Sequence, residues 1–262
     1  MTLEEKLRRV RDDLDRMYNA GADIGYKTGY DHGKRDGSAE GARAEYDRFW
    51  DNYQDNGNRE HYTYAFSGLG WKKEIFKPKY DIIPSVCGSM FYRTNMKIDM
   101  VDLLETQGIV LDLSKSENVS SLCNNAYFTR LGIINTTSAP DLSAIFSSCI
   151  FLEEVLGLVL KDDGSQKFSA SSFQSCSKLI RMPVSGVIGQ NGFDIHWSTG
   201  LSKASLESIV NAASTTASIT ITLSSVAVKR EFETSAGAND GNTSQEWKDL
   251  VATRPTVTFA LA

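Results

Sequence analysis

One short motif, met three times, does more than any other feature to limit what this chain can fold into. Leu122-x-x-Asn125-x-x-Phe128-x-x-Leu131 is matched by Phe146-x-x-Cys149-x-x-Leu152-x-x-Val155, and again by Phe173-x-x-Cys176-x-x-Leu179-x-x-Met182. The phase advances by 24 residues and then by 27. A unit of that size is one strand plus a return segment. It cannot bury its apolar side alone, so such units stack on one another into a continuous core.

The surrounding sequence extends the pattern. Val101–Leu104 precedes the apolar run 109–113, Leu142–Cys149 precedes 155–160, and Ala170–Cys176 precedes 179–182. Lys203–Ala213 then precedes 219–223, and Ser244–Thr253 precedes 256–261. In each case a helix-like stretch is followed by a short strand. The spacing lies in the range of leucine-rich repeats, and the expected class is α/β, a leucine-rich-repeat solenoid over residues 97–262. Asn or Cys at the shared position is small enough to serve the backbone where the chain turns. The last two units are longer, with Ile221 and Phe259 as corresponding residues.

The front of the chain is built differently. Residues 1–60 carry 11 Lys/Arg and 14 Asp/Glu, whereas the remaining 202 carry 17 and 19. Ser and Thr run the other way, with 8 in the first 100 residues and 39 in the rest. Leu3, Leu7, Val10, Leu14 and Met17 form a heptad seam, although it is short enough to suit an ordinary amphipathic helix as well. Gly21, Gly25, Gly29, Gly33, Gly37 and Gly41 then recur every fourth residue.

A mobile linker has no reason to keep that period, and collagen needs a period of three with proline. A helix whose bare face admits another backbone does have a reason. Its ladder drifts about 40° per step, so a partner following it winds right-handedly. Residues 1–57 are therefore expected to be a helical stalk that self-associates, with a linker or intramolecular packing as the alternatives. Residues 58–96, with Trp71, Phe76, Tyr80 and Phe91 but no sustained period, read as an aromatic collar between stalk and body.

Candidate chemistry is sparse. Cys87, Cys123, Cys149 and Cys176 have no zinc spacing, and equivalent positions in adjacent units favour buried free thiols over disulfides. His32 lies four residues from Asp36, His61 follows the Asn-Gly breaker, and His196 sits in the loop GQNGFDIHWSTG. No G-x-S-x-G, HExxH, Walker A or GxGxxG motif occurs, so an enzyme, a cofactor and a metal are not expected. That loop supplies the candidate ligand contacts Phe193, His196 and Trp197, with packing of the rings on the next helix as the competing reading.

A formal charge of −5 disfavours nucleic acid as a partner, and a mean hydropathy of −0.29 with no sufficiently long apolar run disfavours membrane insertion. MTLEEKLRRVRDDLDRMY lacks the apolar centre of a secretory leader.

The F-x-x-C-x-x-L units resemble the BspA-type leucine-rich repeats of gut bacteria. The tail LSKASLESIVNAASTTASITITLSSVAVKREF, followed by SQEWKDLVATRPTVTFALA, is similar to the end of many such proteins encoded near prophage tail genes. GARAEYDRFWDNYQDNGNR and FKPKYDI resemble the front of the same group. The resemblance covers nearly the whole chain and implies a non-enzymatic structural or adhesive protein of a phage or prophage tail.

On that reading the protein is made in the cytoplasm and resides in the virion. Its partners would be itself, as a homo-oligomer (a trimer among the allowed forms), together with other virion proteins or a host surface protein or glycan. A bacterial cell-surface or secreted adhesin is the alternative, and an intracellular scaffold the second.

Overall fold

The computed structural model describes residues 81–94, 97–233 and 244–262. The heptad seam at Leu3, Leu7, Val10 and Leu14, the glycine ladder and collar residues 58–80 lie outside the described residues. The elements are α1 (Met100–Gln107), β1 (Arg130–Asn135), β2 (Glu154–Val159), β3 (Val184–Ser185), α2 (Lys203–Ala212), β4 (Ile219–Leu223), α3 (Ser225–Phe232), α4 (Gln245–Ala252) and β5 (Val257–Leu261).

Among the described residues all strand pairing is parallel. One sheet runs β1-β2-β3 and a second pairs β4 with β5. Seven isolated bridges, from Ile82↔Leu111 to Asp194↔Thr222, are parallel too. Leu131 pairs with Val155 and Glu154 with Arg181, offsets of 24 and 27 residues. Ile221 pairs with Phe259. Each pass of the chain thus lies beside the previous one at a strand spacing of about 4.8 Å.

One apolar cluster extends from Ile82 to Trp247. Within it the rings of Phe146 and Phe173 lie 5.9 Å apart and those of Phe173 and Phe193 5.0 Å, while Phe91 meets Phe128 edge-on at 5.2 Å. The cluster is built from equivalent positions of successive coils rather than from the faces of two layers.

Two of the expected helices are not helices. Leu142–Cys149 and Ala170–Cys176 are ribbons of consecutive turns, as are 87–94 and 119–126. Their buried residues do fall at i, i+3, i+4 and i+7: Cys87, Met90, Phe91 and Thr94; Val119, Leu122, Cys123 and Ala126; Leu142, Ile145, Phe146 and Cys149. The backbone reaches that pattern by another route. Leu122, Asn124 and Ala126 donate their N–H groups three residues back, while Ser121, Cys123 and Asn125 donate to Ser143, Ile145 and Ser147 of the next coil.

An α-helix would use every N–H internally. Here alternate N–H groups bind coil to coil. Three of the ribbons carry a left-handed residue at every fourth position, Ser89/Arg93, Ser121/Asn125 and Ala144/Ser148, with φ between 54° and 59°, and the fourth carries one at Ser175. Serine and asparagine are weak helix formers and good turn formers. Side chains set the turns: Asn118 Oδ1 accepts from Ser120 N at 3.0 Å, and Asp141 Oδ1 from Ser143 N at 2.8 Å.

Two further expectations shift. Asn125 is not the counterpart of Cys149; the left-handed Asn125 matches Ser148, and the buried counterpart of Cys149 is Ala126. The first unit is one residue shorter between turn ribbon and strand, so a match anchored on Leu131 slips along the ribbon. The collar boundary at 96/97 also falls inside the stack. Residues 81–94 form a coil of their own, with Ile82 paired to Leu111 and Val86 to Asn118. Cys, Met and Thr stand there where later coils carry Leu, Ile and Cys, which hides the period.

The three-stranded sheet has a helix following the same coil position on either side. Asp99, bridged to Arg130 at the start of β1, N-caps α1, and Ser202 N-caps α2. On the β3 side, Ser205 Oγ accepts from Met182 N at 3.0 Å and Ser208 Oγ from Val184 N at 3.1 Å. These serines, three apart on α2, satisfy edge groups that a further strand would otherwise have bound.

Candidate interaction surface

The loop from Gln190 to Gly200 disperses the three residues that the sequence places together. Gly192 has φ +101°, and a Cβ there would lie 2.4 Å from Phe168 O, so only glycine lets the loop pass. Phe193 then turns inward. It is 1% exposed, with its ring 5.0 Å from each of Phe168 and Phe173. As a ligand contact it is ruled out by burial.

His196 and Trp197 stay at the surface. Asp194 Oδ1 sits 2.6 Å from His196 Nδ1 and also accepts the His196 backbone N–H at 3.2 Å. That short turn sets the imidazole against Trp197, centroids 4.9 Å apart and planes inclined at 38°, and leaves the indole 44% exposed.

All four cysteines are free and buried. Cys149 Sγ donates to Cys123 O at 2.8 Å and Cys176 Sγ to Phe146 O at 2.9 Å, the same contact one coil apart. Burial pushes the Cys87 thiol up to about 12, against a 3.2 Å contact with Ser116 Oγ, and raises Cys123 and Cys149 well above the ordinary thiol range. Such thiols stay protonated at neutral pH and are poor nucleophiles.

Sequence reasoning missed two rows of side chains drawn from four successive coils, the first from one ladder position and the second with Lys97 one residue out of register. In the first, Asp99, Arg130, Glu154 and Arg181 alternate in sign. Arg130 reaches Asp99 at 2.8 Å and Glu154 at 2.6 Å, and Arg181 reaches Glu154 at 2.6 Å. Burial pushes the Asp99 carboxyl up, but the Asp102 N–H and the Arg130 guanidinium outweigh it and hold the group below its ordinary value. For Glu154 the Arg130 hydrogen bond leads, with Arg181 adding to it against partial burial, and the shift is again downward.

The second row is Lys97, Tyr127, Phe151 and Lys178, each one residue before a buried Ile98, Phe128, Leu152 or Leu179. Tyr127 meets Phe151 edge-on at 5.0 Å, and both lysine ammoniums lie 5.3 Å from the Phe151 ring centre. The signal was present in the aligned units as KID, YFTR, FLEE and KLIR. It emerges only when the units are read down the column beside the core residue.

Near α4, a shallow open depression of about 250 Å³ is lined by Trp247, Val251, Pro255, Val257 and Phe259. Among the described residues no three His, Cys, Asp or Glu side chains converge as metal ligands, and no helix is long and apolar enough to cross a membrane. In comparisons with known proteins, no family model matches the chain, and no curated protein or solved structure matches it.

Proposed function

We propose that this chain is a non-enzymatic recognition protein of a phage or prophage tail, whose leucine-rich-repeat-like body displays side chains to a cell surface or a neighbouring virion protein. The glycine-laddered front assembles it with copies of itself. One observation supports the display role above others: equivalent positions of successive coils place Tyr127, Phe151 and Lys178 in one surface row, which Lys97, one residue out of that register, joins through the Phe151 ring. Stacked repeats offer such rows without a cavity, and binding by repeat arrays uses surfaces of this kind. The sequence resemblance supplies the tail assignment.

Mass spectrometry of purified phage particles from the source strain tests the location. The protein should be found at structural stoichiometry in virions. Its absence there, with presence in cell-wall fractions, would move it to the bacterial surface.

A further inference from the structure

We propose that the Lys97–Tyr127–Phe151–Lys178 row binds a carboxylated polysaccharide, a chain bearing uronic-acid-type sugars. This rests on reading the body as a recognition module, and it names the ligand class for that surface. Tyr127, Phe151 and Lys178 sit one strand spacing apart in succession and Lys97 brings its ammonium to the same Phe151 ring, so the patch spans about 10 Å, the length of a two- to three-sugar unit. Tyr127 and Phe151, inclined at 69°, are half-buried, which fixes the rings while leaving part of each open to the C–H faces of sugar rings.

Charge selects among sugars. Lys97 and Lys178 are both exposed, and among the described residues neither has a carboxylate partner. In the neighbouring Asp99–Arg181 row every charge meets its opposite. Two ammoniums without carboxylate partners, both beside the Phe151 ring, complement carboxylates on nearby sugars of one polymer. An exposed Glu153, two residues from Phe151, together with a formal chain charge of −5, disfavours a densely charged polyanion such as a nucleic acid.

A peptide is disfavoured by the sheet edges. Strand addition needs unpaired N–H groups, and Ser205 and Ser208 already hold those of Met182 and Val184.

Isothermal titration of the full chain tests the idea, with a galacturonic acid hexasaccharide as the probe and neutral maltohexaose, hexathymidylate and hexaglutamate as comparators. Only the galacturonate should bind, and more weakly as salt is raised. Lys97→Gln with Lys178→Gln should weaken binding by about tenfold or more. Lys115→Gln, on the exposed loop between Leu113 and Ser116, should change nothing. Phe151→Leu should weaken binding with an unchanged melting temperature, which separates lost stacking from lost folding.

Equal binding of maltohexaose, full affinity in the double lysine variant, or no binding of the galacturonate would each overturn the proposal. Tighter binding of the nucleotide or the acidic peptide would assign the row to that class instead. Presence in virions without galacturonate binding sinks the ligand alone, whereas binding without presence in virions sinks the location alone.

Discussion

Phe173 and Trp197 occupy neighbouring coils and have opposite fates, and the contrast shows what holds the body together. Phe173 is fully buried among Phe146, Phe168 and Phe193. Its replacement by alanine should cost about 3–5 kcal/mol, because parallel coils fixed by backbone hydrogen bonds cannot collapse into the void. Trp197→Ala should stay within about 0.5 kcal/mol, as expected of an exposed side chain. Urea unfolding of the two variants checks both values, and similar costs would contradict the placement of these rings. The cysteines make a second test at this scale. All four should resist a thiol reagent in the native protein and react together in denaturant. The motif made the burial of Cys149 and Cys176 legible, since small residues recurred at one phase. Phe193 was not legible. An aromatic beside glycine reads as an exposed contact, and only the closeness of Phe168 O to Gly192 shows that the glycine is there to let the ring turn inward.

Elements were legible where local and tertiary preferences agree. The strand at 219–223 and the helix from 203 follow from period and cap, and Ser202 accepts from Ser205 N as an N-cap should. The turn ribbons were misread because burial at i, i+3, i+4 and i+7 does not distinguish a helix from a four-residue turn repeat. What distinguishes them is the destination of alternate N–H groups, which lie on another coil. Edge closure by α2 is testable on the same logic. Ser205→Ala leaves the buried Met182 N–H without its acceptor and should cost roughly 1–3 kcal/mol, against a few tenths for a serine that faces water. The Asp99–Arg181 row gives a pH test. Asp99 and Glu154 have folded-state values below their ordinary ones, so their contribution is fully present above the unfolded carboxylate pKa of about 4 and is lost as pH falls from there through the lower folded-state values. The melting temperature should be nearly flat from neutral pH to about 5 and fall below about 4. Asp99→Asn with Glu154→Gln should make that fall shallower. A slope identical to wild type would mean that the row carries no net stabilisation, the outcome typical of exposed pairs.

At the scale of the whole molecule, two kinds of cohesion are at issue. In the body each coil touches its neighbours, so amide exchange should be slowest in the central coils around β1 and β2 and faster toward the last strand, where Val257 and Phe259 remain half-exposed. The front half of the problem turns on glycine arithmetic. Six glycines in a helix cost about 5–6 kcal/mol relative to alanine. Were residues 21–41 helical, as proposed, a compensating term of that size would be needed, and close approach of a second backbone could supply it. Leucine at Gly29 and Gly33 therefore has opposite effects on the two quantities. On the proposed self-association it would raise the intrinsic helix preference of the segment while its side chains held a second backbone away. Light scattering and circular dichroism of the full chain should accordingly show lower mass with equal or greater helicity, and body unfolding should be unchanged. An unchanged mass would remove self-association through the ladder. A lower mass accompanied by lost helicity would mean that the glycines serve the fold of their own segment rather than an interface.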